Sequence, residues 1–224
     1  MHFQSVTFDL DGTLLDTVAD LAEASNRMLC ELGLPTYSED EIRLFIGRGI
    51  NVLVERCLTR PEPPSAEQLA QAIASFKRHY AEVNGQFSTI YPGVLEGLQA
   101  WKATGLPMAV ITNKAAVFTE PLLERMGLSG FFDVIVSGDT TPHKKPHPEP
   151  VLHACRVMGR PPERNLHIGD SIHDIHAAKA AGSTVYCVPY GYNEGKAVKA
   201  EDCDRLLSSF GEALVSMPNA ALQS

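Results

Sequence analysis

The sequence predicts an α/β fold, a doubly wound parallel sheet with an inserted all-helical domain, and three observations predict it. Near-continuous apolar runs of strand length recur at residues 3–8, 107–112, 132–136, 166–169 and 184–188. From residue 91 onward helix-type segments separate them, and strands alternating with helices imply a parallel sheet covered on both faces. Between the first run and the second, four helical patterns follow one another with no strand, which does not belong inside a βα repeat. The expected layout is a core of residues 1–16 and 89–224 and a helical insert of residues 17–88.

The first strand, Phe3 to Phe8 with the β-branched Val6 and Thr7, runs into Asp9-Leu10-Asp11-Gly12-Thr13. Thr17 to Asp20 has the spacing of a capping box. Val18, Leu21, Ala22, Met28, Leu29 and Leu32 then recur near a 3.6 period until Gly33. Ser38 to Glu41 opens a second helix with Ile42, Phe45 and Ile46 on one side, broken by Gly47-Arg48-Gly49. Ile50, Leu53, Val54, Cys57 and Leu58 form a third face that ends at Pro61, Pro63 and Pro64. Ser65 to Gln68 starts a fourth helix running to about Val83. Beyond Tyr91-Pro92-Gly93, a helix carrying Leu95, Leu98 and Trp101 stops at Gly105 and the strand–helix alternation begins. Residues 218–224 read as a loose tail.

A chain of 224 residues buries a full core and fits one large domain or a domain with a smaller insert. Its net charge of −8 argues against nucleic acid or an anionic membrane as partner, because both are held by basic surface. A small anionic substrate then needs locally concentrated positive charge. Five scattered cysteines (Cys30, Cys57, Cys155, Cys187 and Cys203) include no C-x-x-C and read as reduced thiols, Cys155 and Cys187 as small core residues. With no basic leader and no apolar run near the length of a membrane span, the expectation is a cytoplasmic protein, monomer or homodimer.

The chemistry concentrates where strands end. The first strand delivers Asp9 and Asp11, with Gly12 freeing the backbone and Thr13 offering a hydroxyl to an anion. The second delivers Thr112-Asn113-Lys114. The third leads through Ser137-Gly138-Asp139 to Lys144-Lys145-Pro146-His147-Pro148, and the fourth delivers Gly169-Asp170-Ser171 with Asp174 one helical turn on. Parallel strands share one carboxyl-terminal edge, so these residues meet there. Asp9, Asp11, Asp170 and Asp174 would then crowd around one clear cation, Lys145, and like carboxylates stay ionised together only with raised pKa values or a bound cation. Oxygen ligands with no cysteine set favour Mg²⁺. Such a site suits phosphoryl transfer: one of Asp9 and Asp11 can attack while the other handles a proton or shares a metal, with Thr112, Asn113 and Lys145 as fixed donors to the transferring group. The helical insert then serves as a lid that excludes water.

These motifs, in this order, resemble the haloacid dehalogenase superfamily of Mg²⁺-dependent phosphatases, whose core is Rossmann-like and which pass through an aspartyl phosphate. By that resemblance Asp9 is the nucleophile and Asp11 the general acid and base, Asp9, the Asp11 carbonyl and Asp170 hold Mg²⁺, Thr112 and Lys145 bind phosphate, and Asp174 supports the metal site and Lys145. An all-helical insert between the first and second motifs resembles the C1-type cap. Leu14-Leu15-Asp16-Thr17, Gly47-Arg48-Gly49, Lys145-Pro146-His147-Pro148 and Tyr190-Gly191-Tyr192-Asn193 are most similar to bacterial phosphoglycolate phosphatases. The resemblance implies hydrolysis of a small phosphomonoester, 2-phosphoglycolate first. Arg48 and His173 stand where Asn is frequent in those enzymes, and Arg48 could pair with a substrate carboxylate. A phosphatase for another small ester and a β-phosphoglucomutase-like transferase are alternatives on the same scaffold. A non-catalytic phosphoryl-accepting module would need neither Asp11 nor the lid.

Plainer roles compete for several residues. Asp16 and Asp20 read as helix-terminus acids, Lys144 as a solvated neighbour of Lys145, and Lys114 either as a phosphate ligand or as an exposed lysine at a helix start. His143, His147, His173 and His176 lie in a Pro-rich loop or on one helix, a poor zinc set. His167 reads as packed and neutral in a buried strand, and Trp101 as core.

Overall fold

The computed structural model describes residues 3–59 and 62–215. The chain opens with β1 (Ser5–Phe8) and β2 (Leu15–Asp16), then runs through α1 (Val18–Glu31), α2 (Glu39–Arg43), α3 (Ile50–Leu58) and α4 (Ala66–Val83) before returning along β3 (Thr89–Ile90). From there α5 (Val94–Ala103), β4 (Met108–Ile111), α6 (Ala116–Arg125), β5 (Val134–Val136) and α7 (Glu149–Val157) alternate. The remainder is β6 (Asn165–Gly169), α8 (Ile172–Ala180), β7 (Thr184–Cys187), β8 (Arg205–Leu206) and α9 (Glu212–Val215).

Six strands form one sheet in the order β5-β4-β1-β6-β7-β8, every neighbouring pair parallel. β1 lies at the centre, with Phe8 opposite Val110 of β4 and Ile168 of β6. All four residues of β1, of β4 and all five of β6 are buried, as a sheet covered on both faces requires. Phe8, Leu10, Leu14, Trp101, Leu166 and Phe210 belong to one apolar cluster. Each such side chain contributes about 1.5–3 kcal/mol when removed from water. From β1 the chain works outward to β5 on one side, and from β6 it works outward to β8 on the other. The crevice at the β1/β6 boundary is therefore the switch point where open α/β sheets hold ligands.

Helices α1 to α4 share a second apolar cluster that includes Leu21, Met28, Val54, Phe76 and Tyr80, and Phe118 of α6 and Tyr192 pack into it. The serine boxes expected at Ser38 and Ser65 are present, each closed by Glu41 or Gln68. The expected box at Thr17 is not. Thr17 makes no cap bond with its side chain, and the buried Asp20 instead accepts the backbone N–H groups of Gly85 and Phe87 and the Ser88 hydroxyl. Capping comes from a distant loop: the Tyr192 hydroxyl accepts Thr17 N at 2.6 Å and Val18 N at 2.9 Å and donates to Asp16 Oδ1 at 2.5 Å. Asp16 also meets Arg43 of α2 at 3.4 Å. Both acids expected only to charge a helix terminus thus clamp the two crossings between the helices and the sheet.

Three further differences from the sequence reading have simple causes. β2 and β3 pair antiparallel at the base of the insert, Leu15 opposite Ile90, and two residues are too short to carry a periodic signal. Leu95 is exposed, and the face of α5 that packs on the sheet is Val94, Gly97, Leu98 and Trp101. β8 and α9 extend the fold past the last expected strand, and the tail at 218–224 and Pro61 lie outside the described residues. No helix of the described residues is long and apolar enough to cross a membrane.

Candidate active site

Asp9 and Asp11 follow β1, Thr112 to Lys114 follow β4, Lys145 follows β5 and Asp170 follows β6, and all of them line one cleft with about 580 Å³ of empty space. The helices supply the opposite wall through Leu21, Ile46, Gly47, Gly49, Ile50 and Leu53.

The two β1 carboxylates are bonded differently. Asp9 Oδ1 lies 2.6 Å from Lys145 Nζ, and its Oδ2 makes no bond among the described residues. Asp11 Oδ1 accepts the Thr17 hydroxyl at 2.7 Å and Lys114 Nζ at 2.9 Å, and its Oδ2 makes no bond among the described residues. Gly12 between them and Thr13 has φ +93°, and a Cβ there would fall 2.5 Å from Asp170 Oδ2. Only glycine lets the turn pass so close to that carboxylate.

Asp170 receives the Thr13 hydroxyl on Oδ1 at 2.6 Å and Tyr192 N on Oδ2 at 2.6 Å. Asp174 is completely buried and saturated: Oδ1 meets Lys145 Nζ at 2.6 Å and His167 Nε2 at 3.1 Å, and Oδ2 takes the Ser171 hydroxyl and N–H. Lys145 Nζ completes its three donors on Ile111 O at 2.8 Å. Thr112 Oγ1 accepts Lys114 N at 3.1 Å, so its own proton remains to be donated.

Electrostatics follow from burial. Taking Asp9 out of water, next to the Asp174 charge, pushes its carboxyl up to about 7 even though Lys145 opposes the shift. Asp170 is raised well above its ordinary value by burial, then by Asp9 and Asp174. Burial would raise Asp174 as well, but Lys145 and His167 outweigh it and hold that carboxyl below the usual range. His167, buried between Thr7 and Asp174, is depressed by the same desolvation, in keeping with a neutral packed ring.

Oxygen atoms of Asp9, Asp170 and Asp174 lie within 4.8 Å of one another, the one such group of three among the described residues. Burial and mutual repulsion raise the carboxyls of Asp9 and Asp170, which a divalent cation would offset, and the donors are all oxygen, so the residues fit Mg²⁺. Asp174 has no oxygen to spare, which leaves Asp9 and Asp170 to face an ion. None of the four histidines considered for zinc belongs to such a group. His143 and His147 stack in the exposed loop, and His173 and His176 lie on α8.

Other expected site residues are placed differently from their expected roles. Asn113 is buried, but its side-chain amide is committed: Nδ2 donates to Gly47 O and Lys145 O, and Oδ1 accepts Lys145 N, all at 3.0 Å. It ties the lysine loop to the helical insert rather than offering that amide to phosphate. Thr13 serves the Asp170 carboxylate rather than an external anion. Arg48 is exposed, although the glycines on either side of it line the cleft. Lys114 is buried, not an exposed helix-start lysine; it bridges Asp11 and the Tyr80 hydroxyl and gives the cleft a second cation. His173 lines the cleft with Nε2 buried and unbonded, 3.8 Å from Glu194, which itself pairs with Arg56 of α3 at 2.7 Å. Tyr80 and Tyr192 act through Lys114 and Asp170, partners remote in sequence, whereas Thr17 and Ser171 bond Asp11 and Asp174 only six and three residues away.

A family model described as haloacid dehalogenase-like hydrolase matches residues 6–188. The chain is 50% identical over 222 residues to the phosphoglycolate phosphatase of Thiobacillus denitrificans, covering 98% of each chain. It is 48% identical to that of Nitrosospira multiformis, covering 95% of this chain and 96% of the relative. Among solved structures it superposes on a predicted phosphoglycolate phosphatase from Haemophilus somnus with a TM-score of 0.90 at 33% identity, covering 96% and 98% of the two chains. CbbY from Rhodobacter sphaeroides, solved with phosphate, gives a TM-score of 0.80 at 28% identity, with 94% and 96% covered.

Proposed function

The chain belongs to the haloacid dehalogenase-like hydrolases, and from that membership we propose that it cleaves 2-phosphoglycolate to glycolate and phosphate with Mg²⁺ bound. Its class is that of its relatives, a phosphoric monoester hydrolase. The observation that carries the reading is the unequal bonding of two carboxylates on one turn. Asp9 keeps one oxygen unbonded while Lys145 fixes the other, and Asp11 is steered by Thr17 and Lys114 with its second oxygen free.

In the proposed reaction Asp9 Oδ2 attacks phosphorus in line, and the bond from phosphorus to the alcohol oxygen breaks. Asp11 gives that oxygen a proton, and glycolate leaves. Asp11 then takes a proton from water, the water attacks phosphorus, and Asp9 is released with inorganic phosphate. Thr112 donates to a phosphoryl oxygen, and the Lys145 ammonium, held by Asp9, Asp174 and Ile111 O, sets its positive charge beside the charge spread over that group in a water-poor site. Bound by Asp9, Asp170 and the Asp11 carbonyl, Mg²⁺ would offset the crowded negative charge and polarise the phosphoryl group. Asp174 holds Lys145 in place. Residues 17–88 act as the cap over the core of residues 1–16 and 89–224, closing against bulk water, and Arg48 adds positive charge at the mouth of the cleft.

A panel of phosphate esters assayed with Mg²⁺ by phosphate release tests this. The expected outcome is the highest kcat/KM for 2-phosphoglycolate and no release in EDTA. A higher kcat/KM for sugar phosphates, or isomerised sugar phosphate among the products, would replace the proposal.

A further inference from the structure

Two ammonium groups line the cleft, and they are not equally committed. Lys145 uses its three N–H donors on Asp9, Asp174 and Ile111 O. Lys114 uses two, on Asp11 Oδ1 at 2.9 Å and on the Tyr80 hydroxyl at 2.6 Å. An ammonium carries three donors, so one remains on a side chain that is 5% exposed and lines the cleft.

We propose that Lys114 binds the carboxylate of the substrate's leaving alcohol, with Tyr80 of α4 holding the ammonium toward the cleft. This deepens the 2-phosphoglycolate reading and rests on it. In that ester the carboxyl carbon is two bonds from the oxygen that Asp11 must protonate. A cation hydrogen-bonded to Asp11 is therefore beside the carboxylate whenever Asp11 is beside the leaving oxygen. On the opposite wall the side chains of Leu21, Ile46, Ile50 and Leu53 offer a carboxylate no donor, and Gly47 and Gly49 carry no side chain. Burying that charge without a charged partner carries a large desolvation cost. Lys145 has no donor left to supply the need, and Arg48 is exposed. Tyr80 is fixed by its stacking on Phe76 and by Phe118, and its ring lies 4.9 Å from Lys114 Nζ, so the lysine is placed jointly by the sheet and the helices.

The test compares kcat/KM for 2-phosphoglycolate with that for ethyl phosphate, in which a methyl group replaces the carboxylate. The wild type should prefer the former, and in Lys114→Met the preference should fall about 30-fold or more, the effect of losing one partner of a buried charged hydrogen bond. The fall should appear mainly in KM for 2-phosphoglycolate. Tyr80→Phe, which keeps the ring packing, should lose several-fold of the same preference. If Lys114→Met does not fold, Tyr80→Phe decides, and an unchanged preference overturns the proposal. Equal losses on both esters in Lys114→Met would assign the lysine to Asp11 alone and also overturn it, as would a preference abolished by Arg48→Ala but kept in Lys114→Met. A wild type with no preference for the carboxylated ester removes the substrate reading and the anchor together, whereas a wild-type preference surviving Lys114→Met removes only the anchor.

Discussion

The hydroxyl of Thr13 donates to Asp170 Oδ1 across 2.6 Å, joining the ends of two adjacent strands, β1 and β6, at a point where both residues are buried. Asp170 needs that restraint because it is a buried carboxylate surrounded by like charge. Thr13→Val keeps the shape and removes the donor. The Mg²⁺ concentration for half-maximal phosphate release should rise about 10-fold to 100-fold, the usual effect of losing a hydrogen bond to a metal-binding carboxylate. Thr13→Ser should restore it. A Thr13→Val enzyme with wild-type Mg²⁺ dependence would show that Asp170 holds its position without the strand-to-strand bond.

Asp9 is at once the proposed nucleophile and a strained feature of the metal-free fold. Its folded-state pKa of about 7 against an ordinary 3.8 means that the folded protein keeps a proton the unfolded chain has lost. The stability associated with this group is therefore present below about pH 4 and lost as pH rises through about 7. Asp9→Asn removes the ionisable group. It should abolish turnover and also raise the melting temperature of the metal-free protein above neutral pH, by roughly 1 kcal/mol or more in stability. A variant that melts below the wild type there would mean that the pairing of Asp9 with Lys145 outweighs its burial.

The same shift couples metal binding to protons. In the proposed site Mg²⁺ would compete with protons on Asp9 and Asp170, whose carboxyls are both raised by burial, so binding should weaken as pH falls through about 7, where Asp9 takes up its proton. Asp174, held low by Lys145 and His167, is ionised throughout that range and adds no dependence. The increase in melting temperature on adding millimolar Mg²⁺ should therefore be several-fold larger at about pH 8 than at about pH 5.5. An increase independent of pH would separate the ion from these two acids.

Most of this architecture is legible in the sequence because it rests on local signals. Strand runs, serine capping boxes and the acids at strand ends are each set by a few neighbouring residues, and parallel topology then brings Asp9, Thr112, Lys145 and Asp170 together. The rest depends on partners far along the chain. Lys114 is open between a phosphate ligand and an exposed lysine in the sequence, and Tyr80, 34 residues away, helps to bury it in the cleft. Asn113 looks like a phosphate ligand until Gly47 and the Lys145 loop claim both ends of its amide. Thr17 and Asp20 have the spacing of a cap, but the α1 terminus is capped by Tyr192, 175 residues from Thr17. A side chain's residue type states what it can bond to, and only the fold states which competing partner arrives.

Asp20 is the clearest such case, and its substitution should be felt throughout the joint between helices and sheet. The carboxylate is fully buried on the first turn of α1, where the helix N-terminus favours negative charge. It accepts Gly85 N and Phe87 N at 2.7 Å each, together with the Ser88 hydroxyl, and so fixes the segment by which the chain leaves α4 for β3. No positive side chain pairs with it through a bond in the described residues, so its charge is held by these donors. Asp20→Ala would leave all three donors without this partner, the Ser88 hydroxyl buried and the Gly85 and Phe87 N–H groups part-buried, at a cost of about 3 kcal/mol. For a chain of this size that lowers the melting temperature by roughly 6–12 °C. Asp20→Asn keeps the shape but turns an amide donor toward other donors, and should lose a smaller part of that stability. Melting of both variants, followed by circular dichroism, checks the order. If Asp20→Ala melts within about 2 °C of the wild type, water reaches the three donors and the return crossing is not held by Asp20.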